Sequence, residues 1–503
     1  MFAVPFPTAL ATGIDKMSIS YQTQKAQYLR FLLDDEPGRS GREEEIRTAS
    51  LFSLSVQNIV RERQVPSPCT PFVFGSITKT TPPTPEILPQ YGLLGFHVGN
   101  HDQIKEQEPI LLNVNAPNSA FICGSQGSGK SYTLSCMLEN CLLADNNFGV
   151  LHQPVAGVVF HYDTDSTMSS VAEAASLCSR GIKVRVLVSP SNKRKLQNAY
   201  SKLPGAAENL EVVSLMLSDK HLSVERMLRL MAFSESEGTV PLYMVVIEKI
   251  LRHMAVQEID FTMAAFEREL ALEKFAPGQS AMTDMRLNLL RSFMVPKAAG
   301  RYTLTPPDPF KLTPGALTII DLSDPFIDTA TVCVLFEICL GLIKENRPKA
   351  GLVIALDEAH KYLNESPAAA SFTDRLLTTI REQRHNATRV LIATQEPTLS
   401  SKLLDLCSVS IVHHFKSPAW FAAIRGHLGG ASSLVTQGKE QEKMFDDIVN
   451  LRTGESLVFA PEAFVCVNEA NEAERLGAGV MKMKTRVRAG VDQGMSVLAS
   501  DGA

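Results

Sequence analysis

The feature that most constrains this chain is a phosphate-binding loop between an apolar strand and a helix. Residues 124–131 read GSQGSGKS and fit the pattern G-x-x-x-x-G-K-[ST]. The apolar run AFIC precedes the loop, and the helical segment SYTLSCMLENCLL follows it. Glycines permit positive φ angles, and the N–H groups at a helix start bind phosphate oxygens. The pattern therefore predicts a nucleotide-binding strand–loop–helix unit.

Two residues of this loop have expected chemical roles of their own. Lys130 is expected to reach the β- and γ-phosphates of ATP, and Ser131 to offer its hydroxyl to Mg²⁺. The other positions are expected to surround the phosphates. The complete predicted nucleotide-binding set is Gly124, Ser125, Gln126, Gly127, Ser128, Gly129, Lys130, Ser131 and Tyr132.

Short apolar runs dominate the chain from about residue 91 onward. They are ILLNV, AFICG, GVVFHYD, KVRVLVSP, ALTIIDLSD, LVIALDEAH, RVLIATQEP, VSIVHHF and SLVFAP. Continuous apolar strands suit a parallel sheet buried on both faces, and longer polar–apolar segments separate many of them. We predict an α/β fold in which a mainly parallel sheet is sandwiched by helices.

The texture of the sequence also predicts how the chain is divided. Helical periodicity is clearest in Tyr243–Ala255 and Asp260–Phe275, which indicates a helical insertion between strands. The proline-punctuated start could be a small β-rich cap, with FVFGSIT as one strand, or a partly ordered arm. The predicted parts are an N-terminal extension (1–90), a core (91–203 and 298–470), the insertion (204–297), and a C-terminal basic strand and tail (471–503).

Composition excludes several classes of protein. The net charge of −5 argues against a wholly basic nucleic-acid binder, so any such surface would be a local patch. The sequence contains no apolar run of about 18 residues, so we expect no membrane span. The nine cysteines are an odd number without paired metal-ligand spacing. We interpret them as reduced core residues, which predicts an intracellular, reducing compartment, either cytoplasm or nucleus.

A second motif supplies acidic groups for ATP hydrolysis. LVIALDEAHKYL is an apolar strand that ends in Asp357 and Glu358. Asp357 is placed to hold Mg²⁺, and Glu358 to act as general base toward an attacking water. A third strand, RVLIATQEPTLS, ends in Gln395, whose amide could sense the γ-phosphate or position that water.

Arg381 and Arg384 are candidate arginine fingers for the ATP of a neighbouring subunit. They lie near the end of the amphipathic helix that precedes the Gln395 strand. A guanidinium can offset transition-state charge on phosphate. The alternative is that both arginines simply favour the negative end of the helix dipole.

These residues together resemble the HerA/FtsK superfamily of P-loop ATPases, in particular its HerA-like branch. The resemblance rests on GSQGSGKS, ALDEAHKYL, IREQRHNATRVLIATQEP and GESLVFAP in that order, and covers about residues 93 to 465. It implies a RecA-like core that forms a ring, often a hexamer, with Mg-ATP between subunits and hydrolysis coupled to movement on DNA. It also implies that Arg384 is the more suitable finger.

The chain departs from the family pattern at one acidic segment. Many HerA-like members carry a pattern resembling D-x-x-x-E after the strand that follows the phosphate loop. Here Asp163 matches the first position, but Thr167 stands where the glutamate would be, and Asp165 has the wrong spacing. The N-terminal β-barrel of prokaryotic members is not evident in this sequence either.

Three local basic features could contact nucleic acid. They are Lys193–Lys195, the alternating set Lys482, Lys484, Arg486 and Arg488, and the group His413, His414 and Lys416. On a strand, the alternating set would face one side and could instead brace a neighbouring subunit's nucleotide. Each cluster could also be an ordinary solvated face, and we favour a packing role over metal binding for the paired histidines.

Three functions are compatible with this reading. The leading hypothesis is an ATP-driven motor that translocates on or remodels nucleic acid, with DNA favoured. The alternative is a nucleotide-switched scaffold or signalling ATPase that acts on a protein partner. A small-molecule phosphotransferase is the weakest, because Lys130 and Asp357 are more than two hundred positions apart and no separate acceptor site is evident.

Overall fold

The structure is a computed structural model of the 503-residue chain. It describes residues 45–64, 88–99, 101, 103–145, 147–163, 171–231, 242–259, 261–273, 275, 277–295, 308–428, 438–470 and 472–490. The predicted strand at 72–78, together with Asp165 and Thr167, lies outside the described residues.

The described strands form one sheet. They are β1 (Leu51–Ser53), β2 (Tyr91–His97), β3 (Pro109–Asn113), β4 (Ser119–Cys123), β5 (Gly149–Val150), β6 (Ala156–His161), β7 (Val184–Val188), β8 (Leu210–Ser214), β9 (Leu317–Asp321), β10 (Leu352–Leu356), β11 (Thr388–Thr394), β12 (Val409–His413), β13 (Glu455–Phe459), β14 (Phe464–Val467), β15 (Ala473–Arg475) and β16 (Met481–Thr485). Their order is β15-β14-β1-β3-β2-β16-β13-β12-β4-β11-β10-β6-β9-β7-β8, and β5 pairs with β2.

Helices connect the strands and cover both faces of the sheet. They are α1 (Leu54–Gln64), α2 (Lys130–Leu142), α3 (Lys193–Tyr200), α4 (Ala206–Asn209), α5 (Val224–Met231), α6 (Leu242–Val256), α7 (Met263–Leu272), α8 (Pro277–Ser292), α9 (Thr329–Glu345), α10 (Pro367–Arg381), α11 (Gln383–Asn386), α12 (Ser401–Leu406), α13 (Pro418–Ile424) and α14 (Gly438–Val449). Single 3₁₀ segments lie at Glu173–Arg180, Asp219–His221 and Ala359–Lys361.

The half of the sheet from β12 to β8 is parallel throughout. Its strands are buried on both faces because successive side chains enter two different cores. In β10, Ile354 and Leu356 pack on the α9 and α10 side, whereas Val353 and Ala355 pack on the α2 side. All nine predicted apolar runs contribute strands, so the predicted α/β fold is confirmed.

The other half of the sheet is mostly antiparallel, which the sequence did not predict. β13 and β16 extend the parallel half from β12, and β2, β3 and β1 continue the sheet beyond them. β16 lies where the C-terminal basic strand was predicted, and it pairs with both β13 and β2. It is therefore an internal strand of the main sheet.

The insertion has a hydrophobic core of its own. Helices α5 to α8 enclose Tyr243, Ile247, Phe266 and other buried residues. Strand β8, by contrast, pairs in parallel with β7. Within the predicted range 204–297, the helices of this core begin with α5, after β8.

Part of the predicted N-terminal extension belongs to the folded body. β1 pairs with β3 and β14, and Phe52 and Val56 enter a small core with Phe464. The cysteines in the described ranges form no disulfide, and burial raises the pKa of Cys123 to about 12. Among the helices that the structure describes, none is long and apolar enough to cross a membrane.

Candidate nucleotide site

The phosphate loop joins the carboxyl end of β4 to α2. Gly124, Gly127 and Gly129 have φ angles of 153°, 73° and 111°. A Cβ on Gly124 would lie 2.7 Å from both the Cβ of His413 and the Oγ of Ser128. Glycine is therefore required at Gly124 by both conformation and space.

Neighbouring loops hold the phosphate loop in place. The N–H and the hydroxyl of Ser125 donate to the carbonyl of His414, at 2.8 and 2.9 Å. The N–H of Gly454 donates to the carbonyl of Ser128 at 3.1 Å. These contacts fix the loop from the β12 and β13 side, so it is preorganised for a ligand.

Lys130 lies at the start of α2 and is almost fully buried. Its Nζ donates to the carbonyl of Ser125 at 3.1 Å. Burial lowers the pKa of Lys130, while the nearby carboxylates of Glu358 and Asp357 oppose this shift. The loop lysine and the predicted acidic pair are therefore close enough for their charges to interact.

The acidic pair follows β10 directly. Asp357 is 5% exposed, and its Oδ2 lies 3.4 Å from Nδ1 of His161. Glu358 adopts a left-handed conformation with a φ of 49°, which is uncommon for a residue with a side chain and typical of strained functional positions. Its Oε1 accepts a hydrogen bond of 2.8 Å from Nε2 of Gln395.

The Gln395 strand lies between the other two strands of the site. β11 pairs in parallel with β4 on one side and with β10 on the other. The carboxyl ends of β4, β10 and β11 therefore meet at one edge, where parallel sheets bind ligands. The chain has the fold of a P-loop NTPase.

The residues present fit a magnesium ion at this edge. The buried Oδ1 of Asp357 accepts no hydrogen bond from the residues described. A buried carboxylate oxygen without a partner is a suitable ligand for a hard cation. Ser131 is half-buried at the start of α2, next to Lys130. No cluster of three or more His, Cys, Asp or Glu side chains suited to a metal occurs in the described ranges.

Sequence reasoning missed His161, which ends β6 beside the acidic pair. Its ring is buried near Asp357 and Asp321, and the hydroxyl of Tyr200 donates to Asp321 at 2.7 Å. Burial alone would lower the pKa of His161, but the neighbouring carboxylates of Asp357 and Asp321 outweigh it and raise the pKa. The sequence signal that could have identified His161 is its position at the end of a predicted strand, in the segment HYD that includes Asp163.

The candidate fingers do not lie at this site. Arg381 ends α10 and Arg384 belongs to α11, and both are exposed. They precede β11, whereas Gln395 follows it. Seven strand residues span about 20 Å, so neither arginine reaches the site of its own chain.

The prediction that the alternating basic set faces one side of a strand is wrong. Lys482 and Lys484 alternate with buried methionines on β16, but the strand ends at Thr485 and the alternation is lost there. Arg486 and Arg488 are instead buried, with Arg486 bonded to Glu139 at 2.7 Å. The four residues therefore do not form one basic face.

Tyr132 and the histidines have structural partners. The hydroxyl of Tyr132 accepts the N–H of Arg488, whose guanidinium lies 4.8 Å from the tyrosine ring centre. His413 is fully buried and bonds to the hydroxyl of Thr133 at 3.0 Å. This agrees with a packing role for His413.

Comparison with solved structures returns similar folds at low identity. VirB4 of Thermoanaerobacter pseudethanolicus is 11% identical, covers 80% of this chain and 97% of its own, and has a TM-score of 0.48. The plasmid coupling protein TrwB with a GTP analogue is 12% identical, with coverage of 80% and 96% and a TM-score of 0.39. The genome packaging NTPase B204 from Sulfolobus turreted icosahedral virus 2 is 10% identical, with coverage of 71% and 96% and a TM-score of 0.29. No family model and no curated protein matches the sequence.

Proposed function

We propose that this protein is a Mg-ATP-hydrolysing motor that translocates on or remodels nucleic acid, with DNA favoured. The observation that carries the proposal is the Glu358 carboxylate, held by Gln395 at 2.8 Å on the edge that bears Asp357 and the phosphate loop. An oriented carboxylate beside a phosphate site is what activation of a water requires.

The chain's own groups divide the chemistry among them. The backbone N–H groups of the loop hold the phosphates, and Lys130 exchanges its bond to Ser125 for one to the β- and γ-phosphates. Ser131 and Asp357 would hold Mg²⁺, which neutralises the phosphate charge. Glu358 accepts a proton from the attacking water. The water oxygen bonds to the γ-phosphorus while the bond between the γ-phosphorus and ADP breaks.

A ring with ATP between subunits accounts for the position of the arginines. Arg381 and Arg384 are exposed at the edge of the sheet opposite the site. An exposed guanidinium that cannot reach its own nucleotide is available to the nucleotide of another copy. This supports a homo-oligomer, and we propose a hexamer, with Arg384 as the finger.

The test is ATP hydrolysis by the purified protein, titrated with double-stranded DNA, single-stranded DNA and RNA at two salt concentrations. We expect salt-sensitive stimulation by one polymer. Glu358→Gln is the matched control, and it should bind ATP but hydrolyse it about 10²- to 10⁴-fold more slowly. No turnover in any condition, or normal turnover by Glu358→Gln, would refute the assignment.

Turnover that ignores all three polymers would instead favour the alternative, a nucleotide-switched scaffold. In that case binding of a protein partner should depend on the nucleotide, and the Glu358→Gln variant should hold the partner in the ATP-bound state.

A further inference from the structure

One aromatic side chain is strongly exposed at the functional edge of the sheet. Phe326 follows β9, and its exposed fraction is 82%. The carboxyl end of β9 lies at the same edge as the phosphate loop because the strands between them are parallel. Single exposed hydrophobic side chains are common on protein surfaces, so it is the position of Phe326 at this edge, together with its neighbours, that makes it a candidate contact.

The loop that presents Phe326 is firmly anchored. Asp324 is buried, and its Oδ1 accepts the N–H of Phe326 at 2.9 Å. The hydroxyls of Ser189 and Ser191 donate to the other carboxylate oxygen. The side chain of Asn192 also donates to the carbonyl of Ser323. The ring is therefore held outward by a loop that is tied to the connection between β7 and α3.

That same connection carries three successive cations. Lys193, Arg194 and Lys195 begin α3, directly after Asn192, and no acidic residue occurs in its first turn. Positive charge at a helix N-terminus opposes the helix dipole and costs stability. An anionic ligand beside this helix start would be attracted by the exposed guanidinium of Arg194.

Direct contacts also lead from the acidic pair to the Phe326 loop. The N–H of Lys361 donates to the carbonyl of Glu358 at 3.0 Å, and its Nζ lies 2.7 Å from the carboxylate of Asp163. The N–H of Asp163 donates to the hydroxyl of Ser323 at 2.9 Å. A ligand on Phe326 would therefore contact a loop that is connected to the hydrolysing residues.

We propose that Phe326 and the basic start of α3 form a contact surface for single-stranded nucleic acid. The phenyl ring stacks on an unpaired base, and the cations bind the adjacent phosphates. An unstacked base is required because the bases of an intact duplex already stack on each other. This inference rests on the proposed motor function and specifies its contact surface.

The test uses the full-length protein and measures anisotropy of a fluorescein-labelled oligothymidine. Phe326→Ala should weaken binding about fivefold to hundredfold, because one stacked base is lost. Phe326→Trp should retain binding. Leu272→Ala is the matched control, since that side chain is 77% exposed and belongs to α7 of the insertion. Arg194→Gln should weaken binding and make it less dependent on salt.

Basal ATP hydrolysis without nucleic acid should be equal in all of these variants, while stimulation by single strands should fall in Phe326→Ala. Unchanged binding and stimulation in Phe326→Ala would overturn this surface but leave the motor function standing. The same holds if only duplex DNA is bound and Phe326→Ala binds it normally. Absence of nucleic-acid binding by the wild-type protein would overturn both.

Discussion

The buried histidine behind the phosphate loop makes folding sensitive to pH. Nδ1 of His413 lies 2.9 Å from the carbonyl of Glu455, which can only accept, so Nδ1 carries the proton. Nε2 then accepts the hydroxyl of Thr133 at 3.0 Å. The neutral ring is fully satisfied in this arrangement. Burial lowers the pKa of His413 from 6.5 to about 4, and the nearby charge of Lys130 adds to the effect.

The sign and size of the effect follow from proton linkage. Below pH 6.5 the unfolded chain protonates this histidine, while the folded protein keeps it neutral until the pH reaches about 4. The unfolded state thus binds more protons, and stability falls as the pH falls through this window. Each pKa unit is worth about 1.4 kcal/mol, so the whole effect is about 3 kcal/mol. About 1 kcal/mol of it should disappear between roughly pH 7.5 and pH 5.5.

Urea unfolding followed by tryptophan fluorescence measures the free energy of unfolding with a probe near His413. The chain has one tryptophan, and Trp420 packs against Phe415, two residues after His413, with ring centres 5.9 Å apart. In His413→Gln, the free energy of unfolding should lose the part of its pH dependence that this histidine contributes. In His152→Gln, at an exposed position, that pH dependence should remain. The same pH slope in His413→Gln and wild type would refute the reasoning.

Three further changes test the site and its support. Gln395→Ala should lower kcat about 10- to 100-fold with little effect on nucleotide affinity, because Glu358 loses the group that orients it. Single-turnover kinetics with a nucleotide-binding titration would show this. An equal loss of affinity would contradict it. Lys130→Ala should weaken ATP binding itself, measured by calorimetry, and unchanged affinity would remove its assigned role. Arg486→Met should destabilise folding by about 3–5 kcal/mol, since Glu139 would stay buried without its cation. Adding Glu139→Gln should restore most of that loss in denaturant unfolding, and no recovery would count against the ion pair.

The sequence by itself was sufficient for the centre of the fold and for the candidate nucleotide site. The loop glycines, the pair Asp357–Glu358 and Gln395 each follow an apolar strand directly. Local sequence reveals such strands, and parallel pairing necessarily brings their carboxyl ends to one edge. The hydrogen bond from Gln395 to Glu358 therefore joins two residues that were both predicted.

Only the tertiary structure decided what depends on distant partners. Arg486 and Arg488 leave the alternation of β16 because two carboxylates more than 300 positions earlier pair with them, the buried Glu139 and the partly buried Glu173. No periodicity in the local sequence records a partner so far away. The burial of His161 against Asp357 has the same origin, since it depends on the order in which the strands pair. Motifs are local, whereas burial and ion pairing are properties of the assembled sheet.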